Sequence, residues 1–468
     1  MRKSFFVLLC ISLPLITFAK AGMNIFIKNE SKGAITVDLE KFSSGKVEKS
    51  INILPGTTEK LGYISTNRFY GFSKKRRIKI QKPGESCWPY SVDVLLESGY
   101  SSNSFRVLKT SGNVAVDNMH KIWQNWFPTP CLTITVSPQK LDISRSRIFQ
   151  DVIRVLIFGD SLSDKGTLCK YTQGVIPTPR NYYNGMFSNG PVWSEKMRYD
   201  LRRYCGIGVS NYAVGGSTTT PKDDYSHLPY SLCGEMETFR KDAANNGWTD
   251  FDRFLAFIWI GGNDYLTEPA DLTDEQICNL VGNVITGIRN HAEALINTGV
   301  KKFVFITLPD LGLVPECKVD LKNSEVTHKL SMFHNYLLKV LVVNLQQMYP
   351  ERTFALIDMT PKFTECINNP DSFNKKYGTN IVNVDDSCCV GGYTVLDSYL
   401  LKTSVLPRTG DLQAAAANYV VVSDRQDEYV FYDRVHPTEP MHNFMYHFYM
   451  ESLGARFIEE GSPGYRGF

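Results

Sequence analysis

From residue 152 onward the sequence predicts an α/β fold, a parallel sheet covered by helices on both faces, preceded by a smaller β-rich unit. Three observations carry this reading. Beyond residue 152, continuous apolar strands alternate with helical patterns, which implies a parallel sheet buried on both sides. Before it, short runs rich in β-branched residues are separated by turn residues. The charge also changes sign, with 19 Lys and Arg against 10 Asp and Glu over 22–150, but 29 against 38 over 151–468. Such a contrast suggests two units with different surfaces.

The β-rich part contains Ile25–Ile27, Ile35–Leu39, Ile51–Leu54, Val92–Leu96 and Leu132–Val136, punctuated by Pro55-Gly56, Pro83-Gly84 and Ser111-Gly112-Asn113. A small sandwich or barrel is expected over 22–145. Residues 138–150, with Pro138 and Ser/Arg-rich sequence, read as a linker. The second unit, 146–468, opens with an apolar strand, Val152–Phe158. A helix follows over Pro191–Arg203, then a buried strand over Phe254–Ile260. The next helix covers Asp274–Asn297, with Thr273 as N-cap and an end near Gly299. Strand 303–306, a long helix from Ser324 to Met348 stopped by Pro350, and strand 354–357 complete the alternation. Ser161, Asn263 and Pro309-Asp310 each directly follow an apolar strand, where such sheets place their functional groups. There are no internal repeats.

At 468 residues, with 43% hydrophobic and 21% charged residues, the chain has the composition of a globular protein and excludes long disorder. Residues 1–21 read as a secretory signal peptide: Arg2 and Lys3, an apolar run from Phe5 to Phe18, and Ala19-Lys20-Ala21 as a cleavage site. The apolar run is shorter than the roughly 20 residues that span a bilayer. Secretion to an extracellular or periplasmic space is therefore expected. Ten cysteines remain after residue 21 (87, 131, 169, 205, 233, 278, 317, 366, 388 and 389), so disulfides are expected, with no connectivity assignable. No C-x-x-C pair and no Cys/His cluster has zinc spacing, and no metal or cofactor motif is read from the sequence.

Four short stretches carry chemistry. Ser161 ends the first strand at a Gly159-Asp160 turn, and a serine becomes a nucleophile when a base takes its proton. Gly215-Gly216 lets the backbone aim an N–H at a bound atom. Asn263, in Gly261-Gly262-Asn263-Asp264, can donate to a developing oxyanion. Asp433 stands three residues before His436, a spacing that lets a carboxylate fix an imidazole tautomer. Singly, each has an ordinary reading: a helix cap, a turn, an Asx-turn, a chance D-x-x-H. Asp160 and Asp264 adjoin the site and read as structural. The other histidines (120, 227, 291, 328, 334, 442 and 447) read as surface or packing residues.

The order and wording of these blocks resemble the GDSL (SGNH) lipases and esterases, and within them the secreted glycerophospholipid:cholesterol acyltransferase branch. The matching text is Phe158–Asp164, Arg180–Trp193, Asn211–Gly216, Trp259–Tyr265, Leu308–Gly312 and Phe431–Thr438. The resemblance covers about 150–455. It implies a three-layer α/β/α sandwich, with Ser161 as nucleophile, His436 as general base and Asp433 as its orienting acid. The implied oxyanion hole is the N–H of Ser161, the N–H of Gly216 and the side-chain amide of Asn263. The implied activity is that of a lipolytic acyl hydrolase, a phospholipase A or lysophospholipase, working through an acyl-enzyme. The implied partners are phospholipid and lysophospholipid at a membrane surface, with cholesterol as a possible acyl acceptor.

The chain departs from that branch in one respect. There a disulfide closes a surface loop that is cut on activation. Here no cysteine lies between Cys389 and Asp433, so the loop cannot be closed in the same way; Cys366 is the nearest upstream partner. Residues 394–427 remain a candidate lid. Outside the resemblance, Lys74-Lys75-Arg76-Arg77 with Lys79 and Lys82 lies among Phe69, Tyr70, Phe72 and Trp88. It reads either as a patch for anionic lipid, at about 1 kcal/mol per cation, or as a protected strand edge. Nucleic acid is not expected as a partner. Two rival functions share these features: a carbohydrate acetyl esterase of the same family, and a surface-binding protein that has lost catalysis.

Overall fold

A computed structural model of the protein describes residues 22–29, 34–41, 44, 46–54, 56–65, 73–81, 90–98, 103–111, 114–124, 127–136, 139–221, 230–266, 268–319, 321–390 and 420–459. The expected signal peptide, and most of the candidate lid, lie outside these residues. The chain divides into two compact units, 1–136 and 137–468.

The first unit is all β. Strands β1 (Gly22–Asn29), β4 (Thr58–Ser65), β8 (Val114–Gln124) and β9 (Phe127–Val136) form one sheet in the order β4-β1-β9-β8. Strands β2 (Ile35–Lys41), β3 (Val47–Ile53), β5 (Ser73–Gln81), β6 (Tyr90–Ser98) and β7 (Asn103–Ser111) form the other, in the order β3-β2-β5-β6-β7. Ile25 and Ile27 are buried from the first sheet, and Val37, Leu39, Ile78 and Ile80 from the second. A Cβ on Gly62 would lie 3.5 Å from Leu39 Cδ2, so the sheets face each other in the manner of a sandwich. The basic run is not a strand edge. It forms β5, which pairs with β2 on one side and β6 on the other. Ile78 and Ile80 point inward, Arg76 pairs with Glu48 at 2.5 Å, and Lys79 pairs with Glu40 at 2.9 Å. Lys82, Phe69, Tyr70, Phe72 and Trp88 lie outside the described residues.

The second unit is a three-layer sandwich. Its first strand, β10 (Gln139–Asp142), pairs antiparallel with β20 (Arg456–Glu459). The expected linker is therefore part of the fold: Leu141, Ile148 and Phe149 are buried in its core. The central sheet is fully parallel. Its strands β11 (Arg154–Gly159), β12 (Gly208–Asn211), β13 (Phe254–Trp259), β14 (Lys302–Ile306) and β15 (Thr353–Ile357) run in the order β12-β11-β13-β14-β15. Every residue of β13 is buried, as a strand covered on both faces requires.

After β11 come the short helix α1 (Thr167–Tyr171) and α2 (Trp193–Cys205); the later crossovers are α3 (Leu232–Asn245), α4 (Gly262–Tyr265) with α5 (Asp274–Thr298), and α6 (Leu321–Met348). The step from β11 to β12 runs one way along the sheet, and all later steps run the other. Right-handed connections then place α2 on one face and α3, α5 and α6 on the other. The packing agrees, because α5 lies against α3 and α6. The C-terminal part adds α7 (Thr360–Asn368), α8 (Pro370–Tyr377) and the strands β16 (Asn383–Ser387), β17 (Cys389–Val390), β18 (Val421–Val422) and β19 (Tyr429–Phe431). Helix α9 (Glu439–Ser452) then packs beside α2. Thr273 caps α5 in a reciprocal capping box with Gln276, and Gly299 closes it at φ 110°. The strand order reverses at β11. The crevice between the carboxyl ends of β11 and β13 is therefore the switch point at which such sheets bind ligands. Among the described residues no helix is long and apolar enough to cross a membrane.

Candidate active site

Ser161 and Asn263 stand on the two sides of that crevice, just past β11 and β13. The turn that presents Ser161 depends on Gly159, whose φ is 155° and whose hypothetical Cβ would lie 2.2 Å from the Trp259 carbonyl oxygen. No other residue fits there without moving β13. Gly216, at φ 80°, makes the tight loop after β12.

The sequence-predicted Ser161, His436 and Asp433 come together although 275 residues separate the first two. His436 Nε2 is 2.8 Å from Ser161 Oγ, and His436 Nδ1 is 2.8 Å from Asp433 Oδ2. Asp433 and His436 are fully buried. Asp433 Oδ1 accepts from the backbone N–H groups of Val435 at 2.9 Å and His436 at 2.8 Å. A carboxylate held in place by two backbone donors fixes the imidazole with its N–H on Nδ1, leaving Nε2 to accept from the serine. Asn263 Nδ2 donates to Ser217 O at 3.0 Å, which tethers its amide beside the Gly216 loop and leaves a second N–H on the same nitrogen.

A set of buried acids that the sequence did not disclose, or disclosed only as structural, holds the Ser161 side. Glu235, on α3, accepts from Gly159 N–H at 2.9 Å and from the Ser217 hydroxyl at 2.7 Å. It thus ties the nucleophile turn to the Gly216 loop. Burial holds its carboxyl well above the ordinary carboxylate range. Asp164 accepts from the N–H groups of Gly166, Leu168 and Gly215, and Asp264 from the Thr219 N–H and hydroxyl. Asn211 Nδ2 donates to Ser163 O at 2.7 Å. Burial pushes the Asp160 carboxyl up to about 7, although it accepts from Leu162 N–H at 3.1 Å. An isolated Glu in a helix offers no sequence signal for such a role; its only sign is an acid at a core-facing helix position.

The run from Arg180 to Trp193 supports the base side. The Tyr182 hydroxyl donates to Asp433 Oδ2 at 2.7 Å, and the Phe187 ring lies 4.7 Å from the His436 ring. The Ser188 hydroxyl donates to Pro437 O at 2.9 Å, and Asn189 accepts from the N–H of Glu439 at 2.7 Å. His442, expected to be bland, is fully buried, and burial pushes its imidazole down to about 3.

The expected disulfides do not form among the described cysteines, where Cys169, Cys205, Cys233, Cys278, Cys317, Cys366, Cys388 and Cys389 are all thiols. Cys366 is turned to Met441 Sδ at 3.8 Å, in the core under α9, while Cys388 donates to Tyr432 O at 3.5 Å. Their partners lie in different clusters, so among the described cysteines no bridge closes the segment after Cys389. Cys388 and Cys389 pack instead with Tyr182 and Tyr432. Only residues 420–427 of the candidate lid are described, and two of them form β18, paired with β17. Among the described residues no group of three or more His, Cys, Asp or Glu side chains could hold a metal ion.

The crevice beside Ser161 and Asn263 is walled by apolar side chains, among them Leu266, Leu308, Val314, Phe363 and Val435. An apolar wall next to a nucleophile suits the acyl part of an ester, whereas a sugar or phosphate there would lose its hydration without replacement.

Residues 155–448 match the family model described as GDSL-like Lipase/Acylhydrolase. A phosphatidylcholine-sterol acyltransferase of Aeromonas hydrophila is 29% identical, over 51% of this chain and 66% of that protein. The secreted effector protein SseJ of Salmonella typhimurium is 28% identical, over 63% and 62%. A thermolabile hemolysin of Vibrio parahaemolyticus is 24% identical, over 64% and 63%. The matches span just under two thirds of the length of these curated relatives.

Proposed function

This chain belongs to the GDSL-like lipase/acylhydrolase family, and on that premise we propose that it is a secreted lipolytic serine acyl hydrolase, acting on phospholipids and lysophospholipids. The observation that carries the proposal is the unbroken chain Ser161 Oγ, His436 Nε2, His436 Nδ1 and Asp433 at hydrogen-bond distances, opening onto an apolar crevice. Ser161 Oγ attacks the ester carbonyl while His436 Nε2 takes its proton. The N–H groups of Ser161 and Gly216 and the Asn263 amide receive the oxyanion, and such donors are worth about 3 to 4 kcal/mol each. Collapse expels the alcohol, protonated by His436, and leaves an acyl-Ser161 ester. Water, or a sterol hydroxyl, then gives its proton to His436, attacks the acyl carbon and restores the serine. The name of the Aeromonas relative, a phosphatidylcholine-sterol acyltransferase, supports lipid as the substrate class.

One observation favours the second reading, a carbohydrate acetyl esterase. The cavity beside Ser161 has a volume of about 40 Å³. A single water needs roughly 10–15 Å³ on this scale, so the space accepts an acetyl methyl more readily than a long chain.

The deciding measurement is fatty-acid release from phosphatidylcholine and lysophosphatidylcholine by the wild type and Ser161→Ala, with and without cholesterol. Release that falls by about 10⁴-fold or more in the variant is expected, with label moving to cholesterol ester if a sterol is the acceptor. Acetate release from acetylated sugars without long-chain release would transfer the proposal to the esterase. No Ser161-dependent release from either class would leave a binding protein.

A further inference from the structure

We propose that Tyr182 is a fourth member of the hydrogen-bonded relay, a positioning residue that fixes Asp433 and sets the basicity of His436. The proposal rests on the Ser161–His436–Asp433 reading above and goes one residue further.

Its first support is geometric. The Tyr182 hydroxyl donates to Asp433 Oδ2 at 2.7 Å, on the carboxylate whose two oxygens lie 2.8 Å (Oδ2) and 2.9 Å (Oδ1) from His436 Nδ1. Both side chains are buried, Tyr182 2% exposed and Asp433 fully enclosed. The bond therefore runs in a water-free space, where a donor to an ionised group counts most. Its second support is the division of labour on the carboxylate. Oδ1, which also lies 2.9 Å from His436 Nδ1, accepts from two backbone N–H groups of its own loop, which hold it wherever that loop goes. Oδ2 has no backbone donor. Tyr182 supplies that donor from a separate segment of the chain, so it fixes the rotation of the carboxylate about its Cβ–Cγ bond.

The third support is the seat of the ring. Tyr182 meets Tyr432 edge-on at 5.1 Å and 86°, and meets Phe187 at 6.2 Å and 65°. Phe187 in turn lies on the His436 ring. The Tyr432 hydroxyl bonds to Asn181 O. Cys388, Cys389 and Tyr432 close the cluster around Tyr182. The phenol is thus held from several sides, by the loop that carries the base and by the strand that precedes it. A residue needed only to fill space would not require its one polar atom on the buried carboxylate.

The electrostatic consequence has a definite sign. A donor on Oδ2 draws charge from the carboxylate that faces His436. Removing it makes the imidazolium more stable and the base harder to free at low pH. Tyr182→Phe keeps the ring and deletes the bond. Measured on the full chain with p-nitrophenyl butyrate, it should lower kcat roughly ten- to a hundredfold, the worth of a hydrogen bond to a charged group, with KM near wild type. The acid limb of kcat/KM against pH should move to higher pH. The same substitution in an Asp433→Asn background should have almost no further effect, because the oxygen it acts through is gone. Replacement of Tyr182 by 3-fluorotyrosine, a stronger donor of nearly the same shape, should move the acid limb the opposite way and guards against a folding failure of the Phe variant. A Tyr182→Phe profile superimposable on wild type, or losses that add fully to those of Asp433→Asn, would overturn the proposal. Ser161→Ala run beside it separates the two readings: activity that survives that change sinks the triad itself, whatever Tyr182 does.

Discussion

The two sides of the candidate site are built by different means. The nucleophile side hangs on the ends of parallel strands. Ser161 follows β11, Asn263 follows β13, and the Gly216 loop follows β12, so the backbone ladder of the sheet fixes all three. Buried carboxylates then tie loop to loop, with Glu235 joining Gly159 to Ser217 and Asp264 anchoring Thr219. The base side lies off the central sheet, with fewer backbone bonds: β19 pairs with β16, Cys389 N–H donates to Tyr432 O at 2.7 Å, and Glu316 N–H donates to Arg434 O at 2.9 Å. Asp433 and His436 lie in a loop between β19 and α9, closed on itself by the bond from Tyr432 N to His436 O at 2.7 Å. What orients it are side chains from the run between Arg180 and Trp193: Tyr182 on Asp433, Phe187 on His436, Ser188 on Pro437. A sheet end is rigid by construction, whereas a loop must borrow rigidity, and here it borrows from a segment some 250 residues upstream.

That difference is broken most severely by Asp433→Asn. The two backbone N–H groups on Oδ1 oblige the asparagine to keep its carbonyl oxygen there, so its amide must take the place of Oδ2. The amide then faces His436 Nδ1 at the shorter of its two contacts and favours the proton on Nε2, against Ser161, with only the carbonyl oxygen at the Oδ1 position left to hold it on Nδ1. We expect kcat to fall about 10⁴-fold with the fold intact, and a smaller loss with an unchanged pH profile would show that the loop can rearrange.

On the nucleophile side a smaller effect is expected, because the sheet remains when one clamp is removed. Glu235→Gln can still accept from Gly159 N–H and donate to Ser217 Oγ, and should turn over within a few-fold of wild type. Glu235→Ala removes the acceptor of two buried donors, at about 1 to 3 kcal/mol each. It should lower both the melting temperature and kcat, by roughly tenfold for kcat if the Gly216 N–H drifts from the oxyanion. Equal behaviour of the Gln and Ala variants would remove Glu235 from the site.

The same contrast explains what the sequence discloses. Strand–turn groups such as Gly159-Asp160-Ser161 are legible because local geometry demands particular residues: a glycine that β13 leaves no room to change, then a serine at the strand end. The apolar strands and the capped helix at Thr273 are legible by period and by end signals. Tyr182 and Glu235 are not, because their partners are 251 and 76 residues away and nothing local constrains them. Strand β5 was hidden for another reason. Lys74-Lys75-Arg76-Arg77 looks like a charged surface, and only its pairing on both sides, with Glu48 and Glu40 against Arg76 and Lys79, makes it an interior strand. The linker reading of 138–150 failed similarly, since the partner of β10 is the last strand of the unit.

The last expected effect is on stability alone and comes from Asp160. Burial raises its carboxyl from 3.8 to about 7, with the nearby His436 lowering it and Asp264 raising it. In the unfolded chain this aspartate ionises above about 3.8, while in the folded chain it keeps its proton until about 7. Between those values the folded state binds more protons, so rising pH favours unfolding. The contribution is whole below pH 3.8, declines as pH climbs toward 7 and is flat beyond. Glu235 and Asp164 are raised as well, so the wild-type curve alone does not isolate one group. The difference between wild type and Asp160→Asn does. Asparagine still accepts from Leu162 N–H but has no proton to lose. Chemical denaturation from pH 4 to 7 should therefore show wild type losing ground to the variant by roughly 1 kcal/mol per pH unit. Parallel curves would mean that Asp160 is ionised throughout, and that the crevice holds a negative charge one residue from the nucleophile. Below about pH 7 a protonated carboxyl there places no negative charge beside Ser161.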